Sequence, residues 1–261
     1  MTKEKKYSMR KNTEILLTKC VDKYFLDNVE HYTHKGLQYI KDKKIIIVGI
    51  ARDIAERLPN FQETIDHILK LKPKELKVFI YENDSTDNTQ QLLIDWKKEQ
   101  DQVFNFTSEK RNAPDLRLSV SDDRTNNLAY ARNQCLNYVK RNAADFDYVI
   151  VLDTDMNDYS TSGLLNSFGY LCEREDIDAM AGFSYLLKKL YYEGKPIASE
   201  PVYTNYDCWA YRHTDWYDTY STGTMYWFWH WIPLIGSNPW KVLSAFGGSC
   251  IYKTKDYFLD D

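Results

Sequence analysis

Apolar residues along this chain fall into two kinds of run that take turns. Lys44-Ile45-Ile46-Ile47-Val48-Gly49-Ile50 is a continuous β-branched stretch, the pattern of a strand buried on both faces, as in a parallel sheet. Ile54, Leu58, Phe61, Ile65, Ile68 and Leu69 then recur at helical spacing until Pro73, which predicts an amphipathic helix and its stop. Leu76 to Tyr81 predicts a second strand, and the polar string Asn83 to Asp87 supplies N-cap chemistry for a helix through Leu92, Leu93 and Trp96. The mixed segment from Asp101 to Asp123 reads as a loop. Leu128, Ala131, Cys135 and Tyr138 mark a third helix, and Tyr148 to Leu152 a third strand. Beyond Gly163 the pattern loosens into strands such as Ala179 to Leu186 and an aromatic region from Tyr203 to Trp240. Ahead of the first strand, Ile15, Leu16, Cys20, Tyr24 and Leu37 are loosely helical. This predicts a helical extension over residues 1–42, followed by one domain over 43–261 with halves 43–160 and 161–261.

Repeated strand-to-helix alternation predicts an α/β fold: a mostly parallel sheet flanked by helices, with right-handed crossovers and ligands at the C-terminal ends of the strands. Those ends carry Ala51-Arg52-Asp53, Glu82-Asn83-Asp84 and Asp153-Thr154-Asp155, so polar and acidic residues gather at one rim.

Composition narrows the function. The net charge of -4, from 34 basic against 38 acidic residues, lacks the basic footprint of a nucleic-acid binder. With 43% hydrophobic residues in a chain of 261, a continuous core is available and the disordered and low-complexity classes are excluded. The five cysteines are odd in number, widely spaced and lack CxxC pairs, so they read as reduced thiols. No apolar stretch follows the basic N-terminus, which predicts neither signal peptide nor anchor and a cytoplasmic location, with a Golgi or ER lumen the alternative had an anchor been removed. The run Met225 to Ile235 is broken by His230 and Pro233 and falls short of the roughly 20 residues a bilayer crossing needs, so no transmembrane segment is predicted. Asn105-Phe106-Thr107 has the form of a glycosylation acceptor, without support elsewhere in the chain.

The chemistry-bearing candidate is Asp153-Thr154-Asp155. On an extended backbone, side chains two apart point the same way, so both carboxylates are expected to face one spot. Two bare charges about 4 Å apart repel by about 4 kcal/mol at an effective dielectric near 20, a cost that a divalent cation reverses. Oxygen donors without a nearby His or Cys suit Mn²⁺ or Mg²⁺ with positions left for phosphate oxygens. The bland alternative is a polar strand end.

Lys44 to Arg52, Ile80 to Thr89, Leu128 to Asn133 and Leu152 to Asp155, in that order, resemble a GT-A glycosyltransferase over about residues 44 to 160. Arg124, Leu128 to Asn133, Tyr206-Asp207-Cys208-Trp209 and Ser244-Ala245-Phe246-Gly247-Gly248 are similar to the capsule-associated mannosyltransferases of fungi. The resemblance implies a GT-A fold with an aromatic-rich C-terminal acceptor half, and a metal-dependent transfer of sugar from a UDP- or GDP-sugar donor to a glycan acceptor. It places Glu82 against the nucleobase, Ala51 and Arg52 near base and ribose, and Asp153 and Asp155 on the metal and diphosphate. Glu82-Asn83 stands where many members have two aspartates, so the base is left open. Thr86 and Asp87 read as helix caps.

Arg124 and Arg132 offer guanidinium forks for diphosphate oxygens, with a surface helix arginine as the alternative. The aromatic stretch, interleaved with carboxylates, suits a sugar acceptor, a core or a partner surface. If the reaction inverts the anomeric centre, Asp207, Asp215 and Asp218 are the candidate bases; Asp207 comes first because its motif matches the family. His213 and His230 read as structural, and Gly247-Gly248-Ser249 as a tight turn or a close approach to ligand. The last residues, Tyr257 to Asp261, form no clear closing element, which leaves a further metal ligand to be sought beyond them. Two rival functions remain: a nucleotidyltransferase, for which the expected Gly-rich phosphate loop is missing, and a catalytically silent carbohydrate-binding protein.

Overall fold

The computed structural model describes residues 23–116, 119, 121–188, 191–192, 195–196, 202–206, 210–211 and 233–258. Helix α1 (Lys23–Tyr39) and a short 3-10 turn lead into β1 (Lys44–Ala51), followed by α2 (Leu58–Lys70), β2 (Glu75–Asn83), α3 (Thr89–Glu99), β3 (Phe104–Glu109), α4 (Asp122–Asn142), β4 (Tyr148–Leu152) and α5 (Thr161–Glu173). Short strands β5 (Ala179–Ala181), β6 (Tyr185–Lys188), β7 (Tyr191–Tyr192), β8 (Lys195–Pro196) and β9 (Val202–Asn205) precede β10 (Ser249–Lys253) and the one-turn α6 (Thr254–Tyr257).

Six strands form one sheet in the order β3-β2-β1-β4-β10-β5. β3, β2, β1 and β4 run parallel, and β10 inserts antiparallel between β4 and β5. This mostly parallel sheet with helices on both faces is the α/β architecture expected from the alternation, and it accords with the GT-A fold that the resemblance implies. Because side chains alternate across a strand, each β-branched run feeds two cores. Ile45 and Ile47, Val78 and Ile80, and Tyr148, Ile150 and Leu152 pack under α2, α3 and α5. Ile46 and Val48, Phe79 and Tyr81, and Val149 and Val151 meet Ala131, Cys135 and Val139 of α4. The buried thiols of Cys135 and Cys250 are pushed up by that burial, to about 12 and about 11, and stay protonated at neutral pH.

Three readings need correction. The segment from Asp101 to Asp123 is not all loop, because Phe104 to Glu109 pairs with β2 as an edge strand. One face of it, Asn105, Thr107 and Glu109, is polar, while the other carries Phe104, which stacks on Trp96 at 3.8 Å, Phe106, and Ser108, whose hydroxyl meets Glu82. Ala179 to Leu186 is two strands in different sheets, broken at Gly182. The helix after β1, α2, begins at Leu58; Ile54 precedes it, its amide donating to Thr89 Oγ1 at 2.8 Å.

α1 is docked on α5 through paired glycines. A Cβ on Gly36 would lie 1.8 Å from the Leu165 carbonyl oxygen, and one on Gly169 would lie 2.0 Å from that of Tyr32. Only hydrogen at both positions lets the helices approach this closely, and Tyr32 then stacks on Tyr170 at 3.6 Å. Lys35 adds an exposed ion pair to Glu173 at 2.7 Å. Gly36→Ala should therefore force the helices apart at a cost of about 1–3 kcal/mol. A fall in Tm of roughly 3–10 °C in a thermal melt is the expected outcome.

Candidate active site

β4 stops at Leu152, and Asp153-Thr154-Asp155 forms a turn rather than an extended strand end. The cause is Thr154: it is buried, and its hydroxyl donates to the Ile50 carbonyl at 2.7 Å, tying the turn to β1. Gly49 makes room, since a Cβ there would lie 2.7 Å from the Thr154 methyl and 2.9 Å from the Leu152 carbonyl oxygen. The expectation that both carboxylates point alike from an extended backbone is thus replaced by a hydrogen-bonded turn. The Asp153 side chain is only 16% exposed, while Asp155 is exposed.

Asp153 is held from four directions. Its amide donates to the Gly248 carbonyl at 2.9 Å, and Tyr159 donates its hydroxyl to the carbonyls of Asp153 at 2.7 Å and Gly248 at 2.8 Å. Arg132, midway along α4, donates to Oδ1 at 2.9 Å, and Tyr206 donates to Oδ2 at 3.0 Å. The Arg132 guanidinium also lies 4.5 Å from the Phe246 ring centre. Burial pushes the Asp153 carboxyl up to about 6; Arg132 opposes that rise and the Asp155 charge adds to it, so the two acids do feel each other. Gly247 and Gly248, both at positive φ, make the turn that delivers the Gly248 carbonyl, and a Cβ on Gly247 would lie 2.0 Å from the Gly182 carbonyl oxygen.

The neighbouring rim is built from reciprocal clips between loops. Asp53, at φ 51°, accepts from the Thr86 amide at 2.6 Å and the Asp87 amide at 3.3 Å. Ser85 Oγ receives the Asp53 amide at 3.0 Å, and Asp87 bridges the amides of Ala55 and Thr89. Thr86 gives its amide and hydroxyl to Asp53 and so locks two loops without capping α3, whereas Asp87 reaches the Thr89 amide at the helix start; the N-cap position itself is Asn88. Asp84 gathers the amides of Arg111 and Asn112 at 2.8 Å and of Ala113 at 3.0 Å, so the loop after β3 closes over the loop after β2. Burial pushes its carboxyl up, but the Asn83 amide and those three backbone donors win and hold it at about 2.

Glu82 is fully buried beside Ala51 in the β1–β2 register, with its carboxylate accepting from the Ser85 amide at 2.9 Å and from the Ser108 hydroxyl. In this arrangement it shapes the loop. Arg52 reaches across the rim to the Pro114 carbonyl at 3.2 Å, and its Nε is buried with no hydrogen-bond partner in the described residues. Arg124 lies in the first turn of α4, its amide capped by Ser121. It is eight residues from Arg132, about 12 Å along the helix. Of the two arginines, Arg132 is the one the structure joins to Asp153. Asp207, Asp215, Asp218, His213 and His230 lie outside the described residues, as does most of the aromatic stretch. Tyr206, Tyr159 and Thr154 are the residues at Asp153 that sequence reasoning did not assign; Tyr206 carried a signal, as the first residue of the Tyr206-Asp207-Cys208-Trp209 motif.

The donor set fits a hard divalent ion. It consists of oxygen atoms only, one carboxylate is oriented and one is open to solvent, and among the described residues no third Asp, Glu, His or Cys completes a metal cluster. Such an ion keeps several positions for water and phosphate oxygens, the habit of Mg²⁺. No helix among the described residues is long and apolar enough to cross a membrane.

The profile of the family described as cryptococcal mannosyltransferase 1 matches residues 44–258. Among solved structures, the mannosyltransferase PcManGT from Pyrobaculum calidifontis, in complex with GDP-Man and Mn²⁺, is 17% identical, with 65% of this chain and 46% of that chain covered and a TM-score of 0.39. Residues 1–349 of S. aureus TarS, in complex with UDP-GlcNAc, are 16% identical, covering 60% and 37% at a TM-score of 0.32. The chain thus spans less than half the length of these solved proteins. No curated protein matches it.

The Asp84 clip sets an acid limb of stability. Its carboxyl lies below the ordinary value, so the stabilisation is complete above pH about 4 and is lost as pH falls through about 2. In urea unfolding, the stability advantage of the wild type over Asp84→Asn should shrink from pH about 5 to pH about 2.5, and a constant difference contradicts this account.

Proposed function

The chain belongs to the cryptococcal mannosyltransferase 1 family, and from that premise we propose that it is a metal-dependent glycosyltransferase that moves mannose from GDP-mannose to a hydroxyl of a glycan acceptor. The observation that carries the reading is the Asp153-Thr154-Asp155 turn at the C-terminal end of the central strand β4, with Arg132 fixed on Asp153. In α/β sheets this is the rim where ligands bind.

In this reading Asp153 and Asp155 hold Mn²⁺ or Mg²⁺, and the bound ion supplies charge neutralisation for the departing diphosphate. Arg132 uses one guanidinium nitrogen on Asp153 and keeps further donors for phosphate oxygens. The Asp53 and Asp84 clips hold the rim loops in place before the donor arrives, which lowers the cost of ordering them. Ala51 and Arg52 flank the base and ribose, and the buried Arg52 Nε has no acceptor among the described residues. Glu82 acts on the base through the loop it shapes. Arg124 remains the candidate for the outer phosphate, and the acceptor hydroxyl gives its proton to Asp207, with Asp215 and Asp218 as the alternatives.

GDP-mannose and UDP-sugar binding and hydrolysis, with Mn²⁺ and with EDTA, test the proposal. The expected outcome is metal-dependent turnover of GDP-mannose, abolished in the Asp153→Ala/Asp155→Ala variant. Unchanged metal-dependent binding in that variant contradicts the assignment. Arg132→Met should raise the donor Kd by about tenfold or more, since a charge-assisted bond to an ionised group is worth about 1.5–3 kcal/mol.

A further inference from the structure

We infer that Tyr206 is a positioning residue for Asp153, one that keeps a carboxylate oxygen available to a divalent cation by holding it out of the grip of Arg132. The inference rests on the metal-binding reading of Asp153 and Asp155. Arg132 and Asp153 are already in contact, and a guanidinium prefers to take both oxygens of a carboxylate. Here it takes only Oδ1, at 2.9 Å, while Oδ2 accepts the Tyr206 hydroxyl at 3.0 Å. One hydrogen bond on each oxygen fixes the carboxylate plane and leaves lone pairs on both for a cation. Without the hydroxyl, rotation of the carboxylate into the Arg132 fork satisfies both charges and removes the oriented oxygen from the site.

The rest of Tyr206 is anchored independently of this bond. Its amide donates to the Ser184 carbonyl at 2.9 Å, next to the β6–β9 pairing, and its ring edge would lie 3.4 Å from a Cβ on Gly248. The anchor belongs to the second half of the chain, so the cation site takes one support from the nucleotide-side helix α4 and one from the segment that leads into the candidate acceptor residues. Tyr159 differs, since its hydroxyl spans two main-chain carbonyls and fixes the turn, not the carboxylate.

The test is Mn²⁺ binding in the presence of GDP, read from the loss of the free Mn²⁺ electron paramagnetic resonance signal beyond the loss that the same GDP causes without protein. The variants are Tyr206→Phe, Arg132→Lys, their combination and Asp153→Ala/Asp155→Ala, each checked by thermal melting. Loss of an outer-shell hydrogen bond to a metal ligand typically weakens binding by 10–100-fold, so Tyr206→Phe should raise the Mn²⁺ Kd by about tenfold while the melt stays close to wild type. In an Arg132→Lys background no fork exists, and the same substitution should cost less than about threefold, a coupling that simple loss of packing does not produce. An Mn²⁺ Kd within about twofold of wild type for Tyr206→Phe, or equal losses in both backgrounds, overturns the inference. If Asp153→Ala/Asp155→Ala loses Mn²⁺ while Tyr206→Phe matches wild type, this inference alone fails. If the double alanine variant binds Mn²⁺ as the wild type does, the metal reading fails and takes this inference with it.

Discussion

The buried hydrogen bond from the Thr154 hydroxyl to the Ile50 carbonyl decides where both acids of the candidate site stand. It joins the end of β4 to the end of β1, the two strands at the centre of the sheet, and it can form only because Gly49 leaves space for the Thr154 methyl. Once the turn is made, Asp153 is folded inward against α4 and the Gly247-Gly248 turn, and Asp155 is left outside. A two-residue acidic spacing thereby becomes one oriented carboxylate and one exposed carboxylate. The β1–β4 register, with Val48 opposite Val151, sets the height at which this happens. The register in turn depends on the two apolar faces that fill the cores above and below.

The acidic residues at the rim divide by what satisfies them. Asp53, Asp84, Asp87 and Glu82 are spent on backbone amides and neighbouring hydroxyls, and they weld the loops after β1, β2 and β3 into one surface. Asp153 is the exception: its partners are side chains from separate elements, Arg132 from α4 and Tyr206 from just beyond β9, and burial still leaves it harder to ionise than an ordinary aspartate. The contrast separates the acids that build the loops from Asp153 among residues of the same chemistry.

Much of this was legible in the sequence. Ile45 to Val48 and Tyr148 to Leu152 declare buried parallel strands because nothing but burial on both faces explains such runs, and the α4 stripe through Ala131 and Cys135 is similarly plain. β3 was hidden because an edge strand with Asn105, Thr107 and Glu109 on one face is polar there, and β10 because its partners, β4 and β5, are distant in sequence. The acidic rim was visible as a set of residue types, but not its internal division, since whether Glu82 meets solvent or Ser108 depends on β3 being a strand. Arg132 was a candidate on one helix face; only its tertiary hydrogen bond to Asp153, made where α4 packs over β1 and β2, shows that the two meet. Tyr206 belonged to a noticed motif, and its link to Asp153, 53 residues away, follows from tertiary structure alone.

The central claim is that Asp153 and Asp155 together carry the metal that binds a sugar-nucleotide diphosphate. A crystal structure with GDP and Mn²⁺, with data collected at the manganese absorption edge, tests it most directly. The account predicts an anomalous peak within bonding distance of carboxylate oxygens of Asp153 and Asp155 and of the diphosphate. A diphosphate bound with its manganese peak away from both carboxylates would contradict it.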